Sequence, residues 1–289
     1  MLNPNSSPDT PFPQFGQFQS FSPGEKPFVL TKANYHSQEA NFQYMSNSQY
    51  KDFLSCEAMT LAKLSGDWIQ EPSDALLIGS YVHSWQEGRQ KEFISEHPEM
   101  FKKSGELLQK FIDADKMITT LQNDPFVMYV LEGRKELIYT AEMFGCQWKI
   151  MIDSHNFEKR RNLDLKTTRS ITDKVWSEED WAKVSFVEKY HYLLQMSIYS
   201  EVERIANGRE SGDWFNFFIV AVSKEKFPDK AVINMTDPER LIKELAQVEA
   251  HMPRILAVKA GIEEPVRCEI CDYCRSTKQL TGAIHYSEL

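Results

Sequence analysis

The chain has 289 residues, 42% of them hydrophobic, and a formal net charge of −9 at pH 7. This composition can bury a substantial core, and the absence of a long apolar span excludes a membrane-spanning chain. The acidic balance, with a pI near 5.4, excludes nucleic-acid binding through overall charge, so any such binding must use a locally basic region. Because no signal peptide is evident, we expect a reducing cytoplasm.

Residues 1–28 differ in composition from the rest of the chain. They mix Pro, Phe, Ser, Asn, Gly and Gln without a regular period, which is typical of a flexible arm. The arm contains four spaced phenylalanines, Phe12, Phe15, Phe18 and Phe21. These would suit a docking segment, but a disordered leader is the simpler interpretation. We therefore predict a flexible N-terminal arm over 1–28 and one folded domain over 29–289.

The apolar pattern of the folded part predicts helices first and strands later. A Ser cap and a helical period predict helices over 46–64, 75–93 and 105–121. The period then changes to two, which predicts strands over 136–144, 147–153 and 162–167. A helix over 186–206, strands over 214–223 and 231–234 and a helix over 237–260 complete the order. The fold class is α/β (α+β), a central mixed β-sheet flanked by helices with a helical N-terminal part.

Two acids and a lysine belong to the second and third predicted strands. Asp153 ends the second strand, whereas Asp164 and Lys166 are two residues apart in the third and point to one face. A hairpin would bring all three together. Such hard oxygen ligands suit Mg²⁺ or Mn²⁺, which can polarise a phosphoryl oxygen and lower the pKa of a bound water. The alternative is a surface hairpin with a solvated Asp/Lys pair.

Two predicted helices add further polar candidates. His83 lies one turn after Gly79 in an apolar helical run, and it is either a nitrogen ligand or a core residue. Gln195 and Tyr199 are four residues apart and therefore share a helix face. These two side chains could contact DNA or a metal-bound water, or they could belong to an ordinary helix surface.

In this order the motifs resemble those of the PD-(D/E)XK nuclease superfamily, and more narrowly its RecB-like and RecE-like phage exonucleases of the exodeoxyribonuclease VIII type. That pattern has a Gly-x-x-x-His helix, a metal-binding Asp, an acid-x-Lys strand and a Gln-x-x-x-Tyr helix. The matching residues are, in order, Gly79 with His83, then Asp153, then Asp164 with Lys166, then Gln195 with Tyr199. One departure is Ile152, which stands where the pattern often has Pro.

The resemblance implies a restriction-endonuclease-like core and a role for each residue. The implied metal ligands are His83, Asp153, Asp164 and the carbonyl of Leu165. Lys166 is the implied catalytic lysine, and Gln195 and Tyr199 would hold the DNA backbone. The implied activity is Mg²⁺-dependent exonuclease digestion of linear double-stranded DNA, 5′ to 3′, in phage or prophage recombination. A RecT-type single-strand annealing partner and a ring-shaped homo-oligomer are implied with it.

A second motif is formed by cysteines. Cys268, Cys271 and Cys274 lie at two-residue spacing, which in a reducing cytoplasm favours metal over disulfide. Cys56 is the natural fourth ligand, because the segment before it resembles the one before the first cluster cysteine of iron–sulfur nucleases in this superfamily. The resemblance implies a [4Fe–4S] cluster, although Glu57 stands where Pro is usual. Zn²⁺ and unligated thiols remain alternatives.

The sequence leaves three questions open. Glu136 and Glu142 lie on the strand expected to pair with that of Asp153, and either one could join the metal site or face solvent. A locally basic region around the proposed site would be formed by Lys159, Arg160, Arg161, Lys166, Arg169 and Lys174, or the first three would merely solvate a hairpin turn. The alternative functions are an iron–sulfur nuclease acting on single-stranded ends or flaps, and a DNA-binding protein with a nuclease fold that does not cut.

Overall fold

The computed structural model describes residues 28–70, 73–280, 282–283 and 285–288. The predicted arm, apart from residue 28, lies outside this part of the chain. The chain divides into two compact units. Unit 1 comprises Met1–Phe42, Ser48–Ile69 and Glu249–Leu289, and unit 2 comprises Gln43–Asn47 and Gln70–Val248. No helix in the described ranges is sufficiently long and apolar to cross a membrane.

Helices come first along the chain and strands follow, in the order expected, with additional short elements. The helices are α1 Gln38–Gln43, α2 Asn47–Ser55, α3 Glu57–Ser65, α4 Asp74–Gln86, α5 Gln90–Glu96, α6 Gln109–Gln122, α7 Pro125–Leu131, α8 Phe186–Lys189, α9 Tyr192–Ala206, α10 Pro238–Lys259 and α11 Asp272–Ser276. The strands are β1 Arg134–Met143, β2 Cys146–Asn156, β3 Arg161–Thr168, β4 Val175–Ser177, β5 Ala182–Val184, β6 Asn216–Ser223 and β7 Lys230–Asn234.

The central sheet of unit 2 has the order β1-β2-β3-β6-β7. The pair β3 and β6 is parallel, and the other three pairs are antiparallel. Helices cover both of its faces, as their separate hydrophobic clusters show. The predicted mixed sheet flanked by helices is therefore confirmed. Strands β4 and β5 form a separate two-stranded hairpin.

The alternation of side chains along β3 and β6 explains the two faces. Leu163 and Leu165 pack in one cluster with residues of α4, α6 and α7. Phe217 and Ile219 of β6 pack in the other cluster with Met196 of α9. Because Asp164 lies opposite Ile219 in the parallel register, it belongs to the face covered by α9. This alternation brings the acid-x-Lys strand against the Gln-x-x-x-Tyr helix.

Three of the predicted helices are wrong as single segments. The helix over 46–64 is interrupted at Cys56, whose backbone is extended (φ −163°, ψ 106°) and whose Sγ accepts a hydrogen bond from the N–H of Met59. The helix over 75–93 is interrupted near Gly88, which has a φ of +76°. The helix over 186–206 is interrupted at His191, with a φ of +51°. At each break a left-handed or extended residue replaces the helical conformation.

Several short elements were not predicted from the sequence. The helix α7 begins after Asp124, whose Oδ1 accepts hydrogen bonds from the N–H groups of Phe126 and Val127. Pro125 occupies its first position, so the Asp-Pro pair is a start signal that the periodicity did not reveal. Strands β4 and β5 have three residues each and are too short for a period to be visible.

Candidate active site and candidate metal centre

The candidate active site forms where β2 and β3 separate. Their ladder ends at the pair Ser154 and Leu163, and the next residues on each strand are Asp153 and Asp164. Asp153 Oδ2 accepts a hydrogen bond of 2.7 Å from the N–H of Leu165, so a side chain satisfies the amide that the ladder leaves free. We call this opening the fork. It places two carboxylates side by side between two inner strands of the sheet.

Asp164 is held from two sides within the fork. Gln195 Nε2 of α9 donates a hydrogen bond of 2.9 Å to its Oδ1. Lys166 Nζ lies 2.7 Å from its Oδ2, although among the described residues that oxygen accepts no well-aligned hydrogen bond. The ring of Tyr192 lies 4.9 Å from Lys166 Nζ. Asp164 is thus buried with one oxygen oriented by an amide and the other left with free lone pairs.

The other acid of the fork is set by burial and by a histidine. His83 Nδ1 of α4 lies 3.4 Å from Asp153 Oδ2. Burial raises the pKa of Asp153 to about 6, an effect that His83 opposes and Asp164 increases. Burial also disfavours the Lys166 ammonium, but the two acids outweigh burial and raise the pKa of Lys166. The lysine is therefore protonated beside both carboxylates at neutral pH.

The remaining predicted residues take different positions. Tyr199 packs against Phe217, with ring centroids 6.2 Å apart, in the cluster beneath α9. Glu142 is exposed and paired with Gln147, well along β1 from the fork. Glu136 influences Glu87, the residue after α4, whose pKa is raised first by burial and then by Glu136. The fork thus gathers His83, Gln195 and the acid-x-Lys strand, whereas Tyr199 contacts Phe217 and Glu142 is exposed.

The four cysteines meet within unit 1. Cys56 begins α3, Cys271 caps α11, and all four Sγ atoms lie within 4.8 Å of one another. The Sγ atom of Cys274 is 3.5 Å from that of Cys56 and 4.0 Å from that of Cys268. In the described part of the chain this is the only group of three or more such ligands so closely spaced, so the ligand atoms of His83, Asp153 and Asp164 stand further apart.

Backbone amides point at the cysteine sulfurs. The N–H groups of Met59, Cys271 and Cys274 donate to the Sγ atoms of Cys56, Cys268 and Cys271, at 3.4, 3.3 and 3.4 Å. Such bonds stabilise negative charge on sulfur, and the N–H of Ile270 is the largest influence that lowers the pKa of Cys268 to about 6. The fifth cysteine, Cys146, lies in β2 of unit 2.

A family model described as a PDDEXK-like domain of unknown function (DUF3799) matches residues 46–277. The chain belongs to this family. Among solved structures, this PDDEXK-like chain is similar to a protein from Eubacterium rectale that is provisionally named an exonuclease. The two are 41% identical over 90% of this chain and 98% of that chain, with a TM-score of 0.84.

The other comparisons add little. The structure of SSO0001 aligns at 15% identity over 83% of this chain and 94% of that chain. Its TM-score of 0.27 is too low to indicate a shared fold. A comparison with curated proteins found no match. The family and the E. rectale neighbour confirm the resemblance to the PD-(D/E)XK superfamily and its restriction-endonuclease-like fold, and they support a nuclease.

The fork of this PDDEXK-like domain suits a divalent cation by its donor set. It offers carboxylate oxygens of Asp153 and Asp164 and the imidazole of His83, which are ligands that Mg²⁺ or Mn²⁺ accepts. Asp164 Oδ2 is buried, has free lone pairs and lies 2.7 Å from the Lys166 ammonium. This oxygen therefore already stabilises a neighbouring positive charge. The residues present therefore fit such an ion.

Two residues of the fork were missed in the sequence. Gln86, at the end of α4, donates a hydrogen bond of 3.1 Å to the carbonyl oxygen of Asp153. Tyr192 lies beside Lys166, and it is three residues before Gln195 on the same face of α9. The helical period could have revealed Tyr192. The role of Gln86 depends on the packing of α4 against the sheet, which cannot be predicted from the local sequence.

Proposed function

We propose that this chain is a divalent-metal-dependent DNA exonuclease that hydrolyses phosphodiester bonds of linear double-stranded DNA. The observation that carries the proposal is the fork, where one buried and one partly buried carboxylate, an imidazole and an ammonium meet at the separating ends of β2 and β3. The family and the E. rectale neighbour support the reaction class. The alternative, a DNA-binding protein that does not cut, does not explain why a protonated lysine lies beside two acids in the fork.

The chemistry divides among the residues of the fork. Asp153, Asp164, His83 and the Leu165 carbonyl would hold Mg²⁺ or Mn²⁺. When bound, this ion polarises the scissile phosphodiester and acidifies the attacking water. The Lys166 ammonium is placed to stabilise negative charge that develops on the phosphate. Gln195 orients Asp164 through its Oδ1, and Tyr192 limits the freedom of the lysine by covering it with a ring.

The finer assignments rest on the resemblance to RecE-like enzymes. We propose 5′ to 3′ resection from DNA ends, which exposes a single strand for a RecT-type annealing protein. We also propose a homo-oligomeric ring, which would keep the enzyme on its strand, and a phage or prophage origin in a bacterial cytoplasm. The local cations near the fork, rather than the overall charge, would meet the DNA backbone.

Digestion of DNA with and without ends tests the activity. End-labelled linear duplex and covalently closed circular DNA are incubated with Mg²⁺ and the wild type, Asp164→Ala or the exposed control Asp113→Ala. We expect the wild type and Asp113→Ala to digest linear DNA but not circles. In Asp164→Ala the rate of digestion should fall about 100-fold or more. The end label gives the polarity. Cutting of circles, or of single strands only, contradicts the exonuclease assignment. No metal-dependent cutting by the wild type favours the binding protein.

We further propose that the four cysteines hold metal. Tetrahedral Zn²⁺ with Zn–S distances of about 2.3 Å separates its sulfurs by about 3.8 Å. The observed separations of 3.5 and 4.0 Å agree with a single ion of this kind. A [4Fe–4S] cluster binds each thiolate to a different iron, so the sulfurs would have to move apart. Such a cluster would fit the second candidate function, an iron–sulfur nuclease acting on single-stranded ends or flaps.

Purification without oxygen distinguishes the two metals. A brown protein with visible absorption and about four irons per chain would establish the cluster. A colourless protein with about one zinc per chain would establish the tetrahedral ion. A chain that carries neither metal when prepared in this way contradicts the proposal for the cysteines and leaves the assignment of the fork unaffected.

A further inference from the structure

A small hairpin in unit 2 exposes two indole rings. Strands β4 and β5 pair through Trp176 with Lys183, and the turn between them contains Trp181. Trp176 is 49% exposed and Trp181 is 81% exposed, and their rings meet edge to face with centroids 6.5 Å apart. Neither ring contributes to a hydrophobic core cluster in the described residues. Large aromatic rings held together in water indicate a binding surface.

Aromatic rings connect this hairpin with the fork. The ring of Tyr192 lies 4.9 Å from Lys166 Nζ, and the ring of Tyr190, 49% exposed, lies 5.9 Å from that of Tyr192. The residue between the two tyrosines, His191, has its Nε2 3.4 Å from Glu179 Oε2 in the turn of the hairpin. The hairpin therefore lies beside the aromatic residues that contact the candidate catalytic lysine.

The turn of the hairpin also carries three acids, Glu178, Glu179 and Asp180. Asp180 accepts a hydrogen bond of 2.8 Å from Ser177, and Glu179 Oε2 lies 3.4 Å from His191 Nε2. These contacts orient the two carboxylates but do not remove their charge. Phosphates of a partner would therefore approach Lys183 on β5 rather than the turn.

The cations of the same surface are not engaged in this way. Across the described part of the chain, no salt bridge involves any of the four cations Arg169, Lys174, Lys183 and Lys189. Lys183 lies directly across the ladder from Trp176, so a free ammonium is next to an exposed ring. The surface thus combines exposed aromatic rings with the ammonium group of Lys183. That combination suits a polyanion with flat bases.

We propose that the β4–β5 hairpin is a stacking platform for unpaired bases of the DNA strand whose backbone enters the fork. Single-stranded DNA is bound by aromatic rings that stack on bases and by cations that follow the phosphates, and the hairpin presents both. Duplex DNA keeps its bases inside the helix and cannot use the rings. The inference rests on the proposed function, because it names the form of DNA that this same site takes.

One consequence is a preference for frayed or overhanging ends. A blunt end must open before its terminal bases reach the indoles, which costs the stacking and pairing of those bases. An end that already carries unpaired nucleotides avoids this cost. The wild type should therefore digest linear duplex with a single-stranded overhang faster than the same duplex with blunt ends.

The test measures binding separately from cutting. The full chain is titrated with fluorescein-labelled oligothymidine in EDTA, as the wild type, Trp176→Ala, Trp181→Ala, the rescue variant Trp181→Phe and the control Phe227→Ala. Phe227 is 82% exposed in the turn between β6 and β7 and lies outside the hairpin, so it should bind as the wild type does. We expect a loss of affinity of about 5- to 150-fold for each alanine variant, largely restored in Trp181→Phe. Equal melting temperatures exclude misfolding.

The same proteins are then assayed in Mg²⁺ on blunt and overhanging duplexes. Loss of the preference for overhangs in both alanine variants, with the preference kept in Phe227→Ala, supports the inference. Wild-type affinity for oligothymidine in both alanine variants overturns it, even if the protein digests DNA. A wild type that binds oligothymidine through the hairpin but cuts no DNA overturns the proposed function instead, which separates the two failures.

Discussion

Asp164 is the most constrained side chain of the fork. Its two oxygens have different partners, the Gln195 amide at 2.9 Å and the Lys166 ammonium at 2.7 Å. Since an amide that donates to one oxygen fixes the plane of the carboxylate, the other oxygen keeps a defined direction toward the fork. In the proposed reaction Gln195 would therefore be a positioning residue that acts through Asp164.

Gln195→Ala should weaken the binding of Mg²⁺ rather than abolish cutting. Removal of a hydrogen-bond partner of a metal ligand costs about 10- to 100-fold in metal affinity or activity. We expect a higher Mg²⁺ concentration at half-maximal digestion of linear DNA, measured by Mg²⁺ titration. Gln109→Ala, which removes an exposed glutamine on α6, is the matched control. Identical Mg²⁺ curves for wild type and Gln195→Ala would show that the amide does not position Asp164.

Lys149 gives a prediction about pH. It is 1% exposed in β2, and burial lowers its pKa to about 8. An unfolded chain has an ordinary lysine pKa of about 10.4. Between about pH 8 and pH 10, Lys149 is therefore protonated in the unfolded chain but largely neutral in the folded chain. Within that window the free energy of unfolding should rise with pH. Below it, the buried ammonium lowers stability.

Lys149→Met should remove most of this dependence. We expect the free energy of unfolding near pH 7 to rise by about 2 kcal/mol, because an apolar side chain of similar length avoids the burial of charge. Urea denaturation at about pH 7 and about pH 9.5 measures both effects. Lys102→Met, at an exposed position, serves as the control. Equal pH slopes in Lys149→Met and the wild type would contradict the interpretation.

At the scale of elements, the strands were easier to predict than the helices. β2 and β3 alternate apolar and polar residues over much of their length, and β6 is a short continuous apolar run. These three predicted segments and that of β1 were found within a few residues of their observed ends. The helix breaks at Cys56 and His191 have no marker in the local sequence, because tertiary contacts decide them. Gly88 did offer a marker, since glycine commonly ends a helix.

The candidate site was predicted as a set of residues but not as a geometry. The acid-x-Lys spacing is a local property of a strand, so Asp164 and Lys166 could be placed on one face in advance. The fork depends on where the β2 and β3 ladder ends, and this is decided by the partners of each strand across the sheet. The contact of Tyr199 with Phe217 likewise depends on the packing of α9 against β6.

Gly133 and Gly79 differ in how much a side chain at their position would strain the backbone and its neighbours. Gly133, between α7 and β1, has a φ of +151°, and a Cβ there would lie 2.7 Å from the carbonyl oxygen of His155. Gly79 lies inside α4, and its Cβ would meet only Thr167 Oγ1 at 3.6 Å, an ordinary contact. The two positions therefore differ in strain and in space.

Gly133→Ala should destabilise the protein, whereas Gly79→Ala should not. We expect a loss of about 3 kcal/mol in the free energy of unfolding for Gly133→Ala, since backbone must move. Gly79→Ala should gain about 0.5–1 kcal/mol, because alanine favours the helix interior. Urea denaturation compares the variants. A cost at Gly79 equal to that at Gly133 would mean that α4 needs its glycine for close packing.

At the scale of the whole molecule, the cysteines join distant parts of the sequence within unit 1. Cys56 and Cys274 are 218 residues apart, and their sulfurs are 3.5 Å apart. A bound metal would act as a cross-link and add its binding free energy to the stability of the folded state. Arg254 adds a further link in this unit, because its Nε and Nη2 donate to the two carboxylate oxygens of Glu57.

Cys56→Ser should release the metal and lower stability. We expect a melting temperature lower by roughly 5 °C, which corresponds to about 2 kcal/mol in a protein of this size. Metal analysis and thermal melting are measured on the same samples. Cys146→Ser, which changes a thiol outside the cluster, should match the wild type in both. Unchanged metal content in Cys56→Ser would remove this residue from the ligand set.

The discontinuity of unit 1 has a consequence for biosynthesis. Its segments Ser48–Ile69 and Glu249–Leu289 are separated by residues 70–248, which belong to unit 2. On the ribosome, Cys56 emerges long before its three partners, so the metal centre cannot close co-translationally until they have emerged. The nascent chain must keep this thiol and its apolar neighbours out of wrong contacts during that interval. If the four cysteines hold metal as proposed, its delivery and the completion of unit 1 become a single late step of maturation.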